Sequence, residues 1–157
     1  MSKFLIILLF ILLVGCQAIS TLPKNIRSEI PDGANKVIVS FDMSKDSLFL
    51  YVSEFLANEN FRIYNLNKEI GFINTDGKRY GSEMEIRLNI VISENGNNSK
   101  LSCISEFNLS DSSGEFKENK WWQSNISLGG YFTLCFDKMV LLLQKLHYTD
   151  IQYLYRS

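Results

Sequence analysis

Few residues in this chain of 157 are of a type that could do chemistry, and they stand far apart. His147 is the single histidine. A Ser-His-Asp arrangement would need a nucleophile presented to it, and no Gly-x-Ser-x-Gly elbow occurs. His147 reads instead as a cation at the end of a helix, where the dipole favours positive charge. Cys103 and Cys135 would need exposure beside that histidine to act as nucleophiles. Both fall on apolar faces of their segments, which suits either a disulfide or a pair of buried thiols. With no third ligand near them in sequence, a zinc site is not expected. Glu85 and Glu106 could converge as a paired-carboxylate site, but Arg87 in the same pattern favours a cross-strand ion pair. Gly129-Gly130 lacks the spacing of a phosphate-cradling loop, and no strand immediately precedes it. The expectation is therefore a protein without catalytic residues, metal or cofactor. Trp121-Trp122 is the remaining chemical feature. Two adjacent tryptophans in a polar loop cannot easily both point inward. They are either a contact site with one ring partly exposed, or a lid over the end of the core.

The segments that would carry these residues read as follows. Lys36 to Met43 alternates, with Val37, Val39, Phe41 and Met43 on one side, and predicts a half-buried strand. Ser44 suits an N-cap and Asp46 the first turn of a helix in which Leu48, Tyr51, Val52, Phe55 and Leu56 recur at helical spacing. That helix should stop near residues 58–60, where asparagine tolerates left-handed geometry. Three strands follow: Phe61 to Thr75 up to Asp76-Gly77, Tyr80 to Ser93 up to Asn95-Gly96, and Lys100 to Leu109. Asp-Gly and Asn-Gly suit type I′ hairpin turns, so these strands should form an antiparallel meander.

Met84, Ile86, Leu88, Ile90 and Ile92 share one face, as do Leu101, Cys103 and Phe107, which predicts a sheet oily on one side and wet on the other. A long loop over residues 110–129 carries the tryptophans. Gly130 to His147 then reads as a helix with an apolar stripe of Phe132, Cys135, Phe136, Met139, Leu142, Leu143 and Leu146. The expected fold is α+β: an antiparallel sheet of about four strands with two helices on one face, in the order β-α-β-β-β-α. Asp150 to Ser157 would add a short final edge strand.

Charge and length bound the function. A formal net charge of −1 offers no basic face, so nucleic acid is not an expected partner. At 13% aromatic residues the chain should build a packed core. About 140 residues beyond the leader suffice for one domain, expected over 36–157.

Lys3 and the uncharged apolar run Phe4 to Val14 have the layout of an export signal over residues 1–15, too short to span a bilayer, which takes about 20. The run ends in Leu13-Val14-Gly15-Cys16, which resembles the lipobox of bacterial lipoproteins. The other reading is an uncleaved anchor helix running on to Ile19, into which Gln17 fits badly. The lipobox resemblance implies diacylglyceryl transfer to Cys16, cleavage before it and acylation of the new amino terminus, with palmitate the expected chain. Several chains make anchoring stable where one alone is marginal. Gln17 is not the aspartate associated with inner-membrane retention, so the resemblance favours the periplasmic side of an outer membrane. Without one, the site is the extracytoplasmic face of the cytoplasmic membrane. Residues 16–35 contain both prolines and no sustained period, and are expected to be a flexible tether.

Phe61-Arg62-Ile63-Tyr64 through Gly71-Phe72-Ile73-Asn74-Thr75 is similar to a stretch of the helix-grip or TBP-like modules of some outer-membrane lipoproteins, including one of the β-barrel assembly machinery. That resemblance implies topology and supplies no functional residues. Two functions from different classes follow as expectations: an accessory module that docks on another envelope protein, or a carrier of a lipid or other small apolar ligand between helices and sheet.

Overall fold

A computed structural model of the protein describes residues 22–117, 120–126 and 128–155. Its elements in chain order are α1 (Lys24–Arg27), β1 (Lys36–Phe41), α2 (Lys45–Asn58), β2 (Ile63–Asn67), β3 (Phe72–Thr75), β4 (Lys78–Tyr80), β5 (Met84–Asn95), β6 (Asn98–Leu109), β7 (Trp122–Gln123), α3 (Gly130–Leu143) and β8 (Asp150–Leu154). One antiparallel sheet of eight strands runs β2-β3-β5-β6-β1-β8, with β4 on β5 and β7 on β6. The expectation of about four strands and two helices is thus corrected to eight strands and three helices among the described residues.

The extra strands come from stretches that the hydrophobic pattern left fused. Phe61 to Thr75, expected as one irregular strand, folds into the β2–β3 hairpin and reverses ahead of Gly71. Gly71 has φ +72°, and a Cβ there would lie 2.1 Å from the Ile92 carbonyl oxygen. Glycine is the residue that this close backbone approach accepts. Asp76-Gly77, expected as a hairpin turn, makes none. β3 and β4 lie along the same edge of β5, and the interruption between them is bridged by Thr75, whose hydroxyl accepts from the Leu88 amide at 2.9 Å. The reversal into β5 comes at residues 81–83, where Gly81 has φ +71°. The β5–β6 hairpin is present, but Asn95 pairs with Asn98, so Gly96 and Asn97 are its central residues. Only Gly96 has positive φ, the pattern of a type II′ rather than a type I′ turn.

Inward positions alternate along the long strands: Val37, Val39 and Phe41 on β1, Met84 to Ile92 in steps of two on β5, Leu101, Cys103, Ser105 and Phe107 on β6, all buried. Both long helices cover this face. Leu48, Phe49, Val52 and Leu56 of α2 and Cys135, Phe136, Met139, Val140 and Leu143 of α3 fill the space above it. Ser44 caps α2 by accepting from the Ser47 amide. Asn60, at φ +60°, ends the helix: its amide bonds Ala57 O at 3.0 Å, and the Phe61 amide bonds Leu56 O at 2.8 Å. That pair of bonds is a Schellman stop. α3 ends at Leu143, four residues before His147, through tight bonds from Lys145 N to Leu142 O and from Leu146 N to Leu143 O.

Residues 22–35, expected to belong to the flexible tether, are docked on this body. Leu22, Ile30 and Ala34 are buried, Asn35 N bonds Leu154 O, and Ile126 N bonds Ala34 O. Arg27 of α1 donates to Asp137 of α3 at 3.0 Å, and that carboxylate is fully buried. The folded body therefore includes the segment from Leu22 onward.

Candidate functional site

A pleated backbone turns successive side chains to opposite faces, and the tryptophan pair divides in this way where the chain enters β7. Trp122, opposite Phe107, points toward the core side, where the two ring centroids stand 5.6 Å apart. Trp121 goes to the outer face of the sheet, where the Arg87 guanidinium stacks on its ring at 4.3 Å. The two rings therefore form walls of two different surface depressions.

The first depression lies on the outer face and encloses about 590 Å³. Tyr64, Phe116 and Trp121 supply aromatic walls, and Asn74, Glu85, Arg87 and Asn108 line it from the sheet. Its charges are paired: Arg62 with Asp76 at 3.4 Å, Arg79 with Glu85 at 3.2 Å, Arg87 with Glu106 at 2.6 Å. Arg79 also covers the Phe116 ring at 5.1 Å. The long loop folds back here through a bridge between Ser110 and Phe116 and a bond from Asn108 Nδ2 to Lys117 O at 2.8 Å. Inside the loop, the Ser113 hydroxyl and amide and the Glu115 amide converge on Asp111, holding its carboxyl below the usual range.

The second depression, about 420 Å³, is apolar and opens where α3 begins. Phe107, Leu109, Trp122, Leu128, Tyr131 and Phe132 line it. Trp122 is 40% exposed, Leu128 65% and Tyr131 38%. Beneath them Phe107 is buried, and Phe132 meets it edge-on at 4.9 Å.

The other residues with chemical potential are placed as follows. Cys16 and the tetrapeptide lie outside the described residues. Cys103 on β6 and Cys135 on α3 are free, buried thiols near one another, so no disulfide joins them. Cys135 also faces the Ser105 and Ser124 hydroxyls, themselves 2.6 Å apart. Ser105 is the polar interruption in the oily face of β6, and this contact satisfies it. His147 is exposed beyond the end of α3 and does not cap it; its amide meets the Tyr51 hydroxyl at 3.4 Å. Glu85 and Glu106 do not form a carboxylate pair. Glu106 accepts from Arg87 and Asn89 across the ladder, as the expected cross-strand ion pair. Among the described residues no group of His, Cys, Asp and Glu could hold a metal, and no helix is long and apolar enough to cross a membrane.

Three features escaped sequence reasoning. Leu128 and Tyr131 flank Gly129-Gly130 and read as loop and helix start, with nothing to mark them as walls of a groove. Tyr64 sits on a strand that is exposed along most of its length, with two asparagines among its other four residues. Asn108 looked like one more solvent-facing position, yet the loop covers it.

Burial raises both thiol pKa values, Cys103 far above its ordinary value and Cys135 to about 12. Unfolded cysteine titrates near 8.5. A folded pKa raised above the unfolded one contributes stability that is intact below the unfolded value and lost as pH rises toward the folded value. Each thiol should therefore remove up to about 1.4 kcal/mol of stability per pH unit above roughly pH 9. The expected result is a urea midpoint that falls between about pH 8 and pH 10, with a shallower fall in a Cys103→Ala/Cys135→Ala protein. Native protein should resist alkylation over that range until it unfolds.

The chain matches no known protein-family model, and a search of curated proteins finds no similar sequence.

Proposed function

We propose that this protein is a lipid-anchored, non-catalytic docking module of the bacterial cell envelope. Cys16 would hold it to the membrane, on the periplasmic side of the outer membrane where there is one. The apolar groove at the start of α3 would receive another envelope protein. The observation that carries the docking half is the exposure of Trp122, Leu128 and Tyr131 around one concave apolar patch. Large apolar side chains grouped in this way are typical of interaction sites, and tryptophan and tyrosine are favoured there because a polar edge remains available. The anchoring half rests on Leu13-Val14-Gly15-Cys16 after the apolar run.

Two measurements test the halves separately. Cys16→Ala should leave an uncleaved or mislocalised precursor and abolish labelling by a clickable fatty acid. Labelling that survives the substitution refutes the anchor. In cells, crosslinking from a photoreactive residue at position 128 should capture a discrete envelope protein, and Trp122→Ala should reduce that capture severalfold. Capture that is unaffected by Trp122→Ala moves the contact elsewhere. Native mass spectrometry covers the carrier reading: protein released from membranes with a stoichiometric apolar ligand would replace docking with transport.

A further inference from the structure

We propose that the outer-face cleft beneath Trp121 binds a neutral saccharide, with a pyranose ring seated against the aromatic walls. This site is on the opposite side of the sheet from the groove at Trp122, and the inference does not depend on the anchor or the docking reading.

Four observations converge on that ligand class. The volume of about 590 Å³ is that of a small-molecule site and holds a sugar unit or two. Its aromatic walls are Tyr64, Phe116 and Trp121. Tyr64 is 75% exposed, while the Arg87 and Arg79 guanidiniums lie over the Trp121 and Phe116 rings at 4.3 and 5.1 Å. A pyranose has faces of C–H groups and a rim of hydroxyls, so it stacks on aromatic rings while its rim seeks polar partners. The charges that line the cleft are balanced by the ion pairs already described, which leaves no net charge to select an anion or a cation.

Asn108 supplies the polar partner. Its side-chain amide donates to Lys117 O, so the amide orientation is fixed, yet its Oδ1 is shielded from solvent and has no hydrogen-bond partner among the described residues. A buried acceptor left unmade is costly, and an incoming hydroxyl offers the donor it lacks.

The test uses full-length protein carrying Trp122→Phe, so that fluorescence reports Trp121 alone. Maltotriose, cellotriose and tri-N-acetylchitotriose are titrated separately into the millimolar range. At least one should shift the emission saturably, and calorimetry should give a matching Kd. Tyr64→Ala, an exposed change, should weaken that binding about tenfold or more, equivalent to about 1.4 kcal/mol, with an unchanged urea midpoint. Asn108→Leu removes the acceptor and should also weaken it. If none of the three trisaccharides gives a saturable signal, the inference is wrong. It is equally wrong if binding persists undiminished in Tyr64→Ala, or if inorganic phosphate at equal concentration displaces the sugar.

Discussion

Replacing Arg27 with alanine should destabilise the protein by about 3 kcal/mol, at the lower end of what breaking a buried ion pair costs. Asp137 is fully buried at the centre of α3, and the Arg27 guanidinium reaches it at 3.0 Å while also pointing at the Ile126 carbonyl. Removing that cation leaves the buried Asp137 carboxylate without the guanidinium that pairs with it. The side chain of Arg27 is 33% exposed, so water can enter after truncation, which keeps the loss below the upper end of the range. The urea midpoint should fall with little change in slope, because the exposed surface on unfolding is almost the same. An Arg27→Leu/Asp137→Leu protein should recover most of the loss, since an apolar pair of similar volume needs no desolvation of charge. Should Arg27→Ala melt like the parent, residues 22–35 are not held to the body as described.

Phe107→Ala should cost about 3–5 kcal/mol, the range for truncating a buried aromatic ring. Phe107 is among the largest fully buried side chains, and it contacts the Trp122 and Phe132 rings at once. Its removal would empty the floor of the apolar groove and drop both rings into the space. Trp122→Ala, by contrast, should cost only about 1–2 kcal/mol, because a large part of that ring is in water already. The comparison separates structure from contact. A docking residue should lose binding with modest loss of stability, whereas a lid residue should lose both together. Thermal melts of the two variants beside the parent, with crosslinking yield measured on the same samples, decide between them.

The periodic parts of the fold were legible in the sequence because burial leaves a signature in them. β5 shows five inward aliphatic residues in strict alternation, and α2 shows a cap, a stripe and an asparagine stop, all present in the structure. Legibility failed where a local signal meant something else. Asp76-Gly77 has the composition of a turn, but at that position the chain keeps its direction and Thr75 replaces a ladder bond with its hydroxyl. Gly71 was the real marker of reversal, and its cause is a non-local contact with Ile92 that no window of sequence contains. The docked segment 22–35 failed for a related reason. Leu22, Ile30 and Ala34 follow no period, and the charge that holds Arg27 lies 110 residues away. Of the surface sites, the tryptophan pair was visible as composition. That its members part company to opposite faces follows from strand alternation once β7 is known to pair with β6.

The docking of Leu22 sets how far the folded body can stand from Cys16. Six peptide steps separate the two α-carbons, and a fully extended chain gains at most about 3.3–3.6 Å per residue, for a ceiling near 20 Å. As a free coil the same span averages about 13 Å, against roughly 25 Å for a tether reaching to Asn35. With acyl chains on Cys16, the swing radius would be shorter than the width of the domain itself. Such a protein could not patrol the periplasm. Anchored through Cys16, it would keep Leu22 within that distance of the bilayer surface, and a partner would have to meet the domain beside the membrane.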